Sequence, residues 1–255
     1  MAPSRPGKTP FVVIFALIFA AVAAIPAAAA AEKVDLLLVL AADVSRSVDS
    51  GKFQLQRDGY AAAISDPRVL AAIRSGRAGR IGVTFVEWSG AGSQRVLIDW
   101  TGVGTAEEAK AFGDRLLEAP RSFADRTSIS GAIDFSMARL AKAPFDSERR
   151  TIDVSGDGTN NAGRDVTLAR DEALAQGVTI NGLVILSEMP LVWNPDHTNP
   201  AGGLDNYYRS HVAGGSGAFV IVAENFASFG QAIIKKLIAE IAVSRPGQVR
   251  QASVR

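Results

Sequence analysis

Val34-Asp35-Leu36-Leu37-Leu38-Val39-Leu40 runs straight into Ala41-Ala42-Asp43-Val44-Ser45-Arg46-Ser47. A short, continuous apolar run reads as a strand buried on both faces. Five further runs of this kind follow. They are Arg80–Val86, extending to about Trp88, then Arg95–Trp100, Arg150–Ser155, Val178–Leu186 and Ala218–Val222. Helical patterns lie between most of them. Ser50–Ile64 begins after Asp49 and puts Phe53, Tyr60 and Ile64 on one stripe. Thr105 and Glu108 have the spacing of a capping box ahead of Ala109, Phe112, Leu116 and Leu117. Ser128–Ala141 carries Ile129, Ala132, Ile133, Met137 and Leu140 at helical spacing. Asp165–Gln176 stops at Gly177, a helix-end signal, and Phe226–Val243 carries Phe229, Ile233, Leu237, Ile238 and Ile241.

Strands alternating with helices predict an α/β domain, doubly wound around a mostly parallel six-stranded sheet. The exception is Ser89-Gly90-Ala91-Gly92-Ser93, which has hairpin length. Arg95–Trp100 is therefore expected as one antiparallel edge strand. Met189–Gly217, rich in Pro, Asn, Gly and aromatics, reads as a long loop with a short helix near Leu204–Val212.

The chain has 255 residues, 27 basic and 26 acidic, for a net charge of +1. No basic excess points to nucleic acid. Without cysteine there are no disulfides, thiolate metal sites or cysteine nucleophiles. The only histidines are His197 and His211, each without a companion at metal spacing, and both read as loop or surface residues rather than ligands. Arg5 and Lys8 precede a charge-free run from Thr9 to Ala31, centred on Phe11–Ala20 and decaying into alanines around Pro26. Residues 1–31 therefore read as a secretory signal peptide, with an uncleaved membrane anchor as the other reading. Without Arg5 and Lys8 the balance is 25 basic to 26 acidic residues. A bacterial periplasmic or secreted location is expected, with residues 32–243 as the domain and 244–255 as a polar tail.

Open parallel sheets place their ligands beyond the C-terminal strand ends. There the first strand offers Asp43, Ser45 and Ser47, one oxygen donor at every second residue. The fourth strand exits into Ser155-Gly156-Asp157-Gly158-Thr159-Asn160-Asn161, and Asp125-Arg126-Thr127-Ser128 stands before a helix. If the first and fourth strands are neighbours, all three loops share one edge. Two carboxylates and three hydroxyls make a hard-oxygen set, suited to Mg²⁺ foremost, with Mn²⁺ or Ca²⁺ as the other candidates. The bland reading is that Asp43, Ser45 and Ser47 cap the next helix and that Asp157-Gly158 is a turn. Ser128 and Asp165 read as helix caps.

In this order, Asp43-x-Ser45-x-Ser47, Thr127 and Asp157-Gly158 resemble the von Willebrand factor A (vWA) domain and its metal-ion-dependent adhesion site. The resemblance spans about residues 32–243 and extends to an uncharacterised bacterial family of exported vWA-like proteins. It implies a Rossmann-like sheet of about six strands. Ser45, Ser47 and Thr127 would touch a divalent ion, and Asp43 and Asp157 would hold it largely through waters. It also implies a protein ligand whose acidic side chain completes the metal shell. Two residues depart from the pattern. Arg126 stands where glycines are common, and either crowds the ion or meets an anionic partner. Asp153 interrupts a normally apolar strand and needs a buried partner.

The expected function is thus an exported, metal-dependent protein-binding module with no enzymatic activity, since no nucleophile–base pair is found. Two alternatives remain: a metal-assisted hydrolase or phosphatase with Asp43 as nucleophile, and a structural envelope scaffold. Against the hydrolase, Ser45 occupies the place where such phosphatases want a second acid. Gly214-Gly215-Ser216-Gly217 lacks the lysine and the following helix of a phosphate loop, and Ser216 lacks the glycine of a nucleophile elbow. Trp193, Tyr207 and Tyr208 either cover the sheet edge or form a partner surface, while Phe219 and Phe229 are expected in the core.

Overall fold

The computed structural model describes residues 31–186, 191–192 and 194–242. Residues 1–30 of the expected leader, the tail 244–255, Met189 and Trp193 lie outside them. The deciding stretch forms β2 (Leu37–Asp43), buried along its whole length. Its side chains alternate between two separate cores. Leu38, Leu40 and Ala42 face one, and Leu37, Val39 and Ala41 face the other. Each fully buried aliphatic side chain contributes about 1.5–3 kcal/mol, which explains why this strand carries no polar face.

Around β2 the sheet runs in the order β4-β3-β2-β6-β7-β8. The other members are β3 (Ile81–Trp88), β4 (Gln94–Val103), β6 (Arg150–Gly156), β7 (Thr179–Ile185) and β8 (Val220–Ala223). Every pair is parallel except β3 with β4. The hairpin closes as Ser89 N–H donates to the Ser93 carbonyl and Gly92 takes a φ of 80°. Register irregularities fall between Val83 and Val86, where edge strands commonly bulge. A two-residue pair, β1 (Glu32–Lys33) and β5 (Phe145–Asp146), lies outside this sheet.

Helices α1 (Ser50–Ile64), α2 (Pro67–Arg74), α3 (Ala106–Glu118) and α8 (Phe229–Ala242) bury their apolar sides in one core. Helices α4 (Ile129–Leu140) and α5 (Val166–Ala175) build the other, with α7 (Leu204–Tyr207) and the π-turn Tyr208–Val212. The capping expectations hold: Thr105 and Glu108 form the reciprocal box of α3, and Ser128 and Asp165 cap α4 and α5. Sequence periodicity did not mark α2, which Asp66 caps and Pro67 begins. It also missed the short α6 (Pro195–Thr198). Phe229 is buried as expected, whereas Phe219 is only half-buried and sits outside both cores. Asp153 finds its partner in α8, where Lys236 Nζ lies 2.7 Å from its Oδ1.

Connections leave β2 for β3 on one side and reach β6 on the other, so the order reverses between β2 and β6. Ligand crevices of open sheets form at such a switch point, beyond the strand ends. Asp43 closes β2 and Asp157 follows β6 at this place.

Candidate functional site

The structure brings Asp43, Ser45, Ser47 and Asp157 together. Asp43 accepts the Ser45 N–H on Oδ1 at 2.7 Å, so the chain turns immediately after the strand. That turn sets Ser45 Oγ 3.0 Å from Ser47 Oγ. Ser47 Oγ in turn donates to Asp157 Oδ1 at 2.5 Å, joining β2's exit to β6's exit. Helix α1 does not use these groups, because Asp49 caps it by accepting from Lys52 N–H. The helix-cap reading of Asp43, Ser45 and Ser47 is thereby excluded.

Thr127 arrives on the third loop, buried and held from both ends. Its N–H donates to Asn161 Oδ1 at 2.9 Å, and its carbonyl accepts from the N–H groups of Asn161 and Ala162. Arg46 N–H donates to the Asp125 carbonyl, tying the first loop to the third. Arg121 braces the first loop from below, donating to the carbonyls of Val44 and Ser45 at 2.6 and 2.9 Å. Behind it, Arg57 pairs with the buried Glu87, whose Oε2 accepts from Ser122 N–H at 2.8 Å. The loops are thus pre-set by polar contacts that periodicity could not reveal.

Electrostatics give this arrangement a purpose. Asp43 and Asp157 are fully buried, and one oxygen of each, Oδ2, has no hydrogen-bond partner. Burial, and then the neighbouring Asp157 charge, push the Asp43 carboxyl up to about 8. Burial raises Asp157 as well, opposed by the Ser47 hydrogen bond and by Lys52. Lys52 Nζ donates to the Ser47 carbonyl at 3.0 Å and stands 3.9 Å from Asp157 Oδ2. Two buried carboxylates with free oxygens are costly unless a cation neutralises them. Among the described residues no three imidazole or carboxylate groups gather as a metal set, so an ion here must draw on the hydroxyls. The donor set of two carboxylates and three hydroxyls fits a hard dication.

Glycines bracket Asp157 because neighbours press on them. A Cβ at Gly156 would lie 2.5 Å from the Tyr208 hydroxyl, and one at Gly158 would lie 2.2 Å from His197 Nε2. The turn reading of Asp157-Gly158 omits this close approach. His197, read as a loop or surface residue, is only 3% exposed, with Nε2 3.2 Å from Thr127 Oγ1. His211 is exposed and stacks on Tyr207. Tyr208 is buried beside the site, and the half-buried Tyr207 accepts from Asn160 N–H through its hydroxyl. Above the site opens a cleft of about 280 Å³, lined by Arg46, Ser47, Arg126, Thr127, Asn194 and His197 among others. Arg126 is exposed and lines this cleft.

The profile of a family described as protein of unknown function (DUF1194) matches residues 33–245. The chain belongs to DUF1194. No curated protein sequence matches this DUF1194 chain. Among solved structures, it is similar to proximal thread matrix protein 1 from the mussel byssus, in a form titled as having a zinc-occupied MIDAS motif. The TM-score is 0.55 at 16% identity, over 83% of this chain and 49% of that one. It is also similar to the pilus adhesin SpaC from Lactobacillus rhamnosus GG, with a TM-score of 0.57 at 13% identity, over 83% and 31% of the two chains. A von Willebrand factor type A protein from Catenulispora acidiphila gives 0.53 at 12% identity, over 82% and 43%. The DUF1194 chain spans about half the length of the mussel protein. These likenesses establish a vWA-type fold.

Proposed function

We propose that this protein is an exported, divalent-cation-dependent protein-binding module. One observation carries the reading: two buried carboxylates, each with an unpartnered oxygen, converge with the hydroxyls of Ser45 and Ser47 beneath an open cleft. Ser45, Ser47 and Thr127 would hold the ion directly, and Asp43 and Asp157 would hold it largely through waters. The ion would supply a positive centre facing the cleft, able to take an oxygen from a partner's acidic side chain. Mg²⁺ suits this donor set best, and Mn²⁺ is the convenient probe.

The chain's own residues do the rest. Arg46 and Arg126 on the rim attract an anionic group by long-range charge, and Asn194 offers a polar edge to it. The clamps on Thr127 and the Arg121 brace keep the three loops in place before any partner arrives. Export is supported by the charge-free run Thr9–Ala31. Among the described residues no helix is long and apolar enough to cross a membrane.

Calorimetric titration with Mn²⁺ and Mg²⁺ tests the site, with Asp43→Ala and Asp157→Ala as controls. The reading expects binding by the native chain and its loss in both variants. It also expects a partner recovered from envelope extract with Mg²⁺ and released by EDTA. Equal ion binding by both variants would refute the site. Metal-dependent turnover of phosphate esters would favour a hydrolase.

A further inference from the structure

His197 belongs to α6, 40 residues beyond Asp157 and well beyond the motifs that define the site. Its imidazole is nonetheless wedged among them. Nε2 lies 3.2 Å from Thr127 Oγ1, while Nδ1 lies 3.2 Å from Thr159 Oγ1 and 3.3 Å from Asn161 Nδ2. The backbone is engaged too, since Thr159 N–H donates to the His197 carbonyl at 2.9 Å. The ring comes so close to residue 158 that only a glycine fits beneath it.

Asn161 decides where the imidazole proton sits. Its Oδ1 accepts from Thr127 N–H, which leaves its Nδ2 amide facing His197 Nδ1 as a donor. Nδ1 therefore presents its lone pair, and Nε2 carries the hydrogen. Nε2–H then donates to Thr127 Oγ1 and uses one lone pair of that oxygen. The other lone pair stays free. Asn161 thus fixes Thr127 through its backbone, and His197 fixes the same residue through its hydroxyl.

We propose that His197 is a positioning residue of the metal site. It orients the Thr127 hydroxyl for a divalent ion and makes ion affinity depend on the segment that carries α6. This inference rests on the site reading given above. Groups that orient a metal's ligands typically govern affinity by 10–100-fold. A histidine present only to fill space would be replaced without loss by an apolar residue of similar volume. A positioning histidine would be replaced by another N–H donor.

The test is Mn²⁺ titration calorimetry on the full chain and on His197→Leu, His197→Gln and Gly158→Ala. His197→Leu is expected to raise Kd about 10–100-fold. His197→Gln should recover most of that loss, because its amide can donate to Thr127. Gly158→Ala should weaken binding as His197→Leu does, by displacing the ring. A second readout needs no variant. With only two histidines in the chain, ¹⁵N imidazole spectra give the His197 tautomer directly. The Nε2–H form is expected without metal, with Mg²⁺ shifting His197 and leaving His211 as internal reference. Unchanged affinity in His197→Leu, or an Nδ1–H tautomer, would overturn the inference while native ion binding kept the site reading intact. A native chain that binds no ion would remove both.

Discussion

Asp43 and Asp157 lie buried together, and the charge of Asp157 disfavours that of Asp43, which sets what single substitutions do. Asp157→Asn removes one buried charge but leaves Ser47 an oxygen to donate to. The metal-free variant should therefore melt at a higher temperature than the native chain. It should also lose the rise in melting temperature that Mg²⁺ gives. For the native chain that rise corresponds to about 2.7 kcal/mol when free ion stands at 100 times Kd. Thermal melts with EDTA and with Mg²⁺ check both halves. A native melting temperature indifferent to Mg²⁺ would contradict them. At this scale the sequence was informative because oxygen donors at alternating positions are visible in a string of letters. Asp43, Ser45 and Ser47 were legible that way, and Asp157 by its place between two glycines at a strand's exit. His197 was not, since nothing local marks a residue whose partners are Thr127, Thr159 and Asn161. The one signal was Gly158, whose missing side chain leaves room for the ring.

Elements are joined by their caps and by buried ion pairs. Thr105→Ala removes the hydroxyl that accepts from Glu108 N–H, and should cost about 1 kcal/mol in urea unfolding. Deeper in, Lys236 of α8 contacts both Asp153 of β6 and Glu240 of its own helix, and all three are buried. Glu240 also accepts from Asn181 Nδ2 of β7 at 2.9 Å. Lys236→Met would leave two buried carboxylates without their cation, and should cost about 3–5 kcal/mol. Burial, and then the Glu240 charge, push the Asp153 carboxyl up to about 7, despite Lys236. The folded chain thus keeps a proton that the unfolded chain gives up between about pH 4 and pH 7. Stability from this group is full below that window and falls as pH rises through it. Urea unfolding across that range should show the decline, and Asp153→Asn should make it shallower, leaving the share that Asp43 contributes. An equal slope in the variant would contradict the assignment. Asp153 was readable as an anomaly in an apolar strand. Its partner was not, because Lys236 lies 83 residues away on a helix whose apolar stripe gives no reason to bury a lysine. Helix α2 escaped for another reason: two turns with Val69, Leu70 and Ile73 make too short a period to stand out.

Across the whole molecule, the order of strands converts distant letters into one site. β2 is sandwiched between β3 and β6, and each face of it feeds a separate core. That burial fixes the register of β2 against β6, pairing Ala42 with Ser155 one residue short of the two exits. Any slip by one residue would exchange the two cores' side chains and move Asp43 away from Asp157. The parallel sheet and its antiparallel edge could be read from run lengths and from the Ser89–Ser93 turn. How residues 194–217 pack could not, since their contacts are made by single side chains such as Tyr208 and His197 rather than by a repeating pattern. The scaffold's rigidity is what allows three irregular loops to meet at one point. A crystal grown with MnCl₂ and measured at the manganese edge tests that meeting most directly. The account predicts an anomalous peak enclosed by Asp43, Ser45, Ser47, Thr127 and Asp157. A well-ordered crystal with no peak among those five side chains would contradict it.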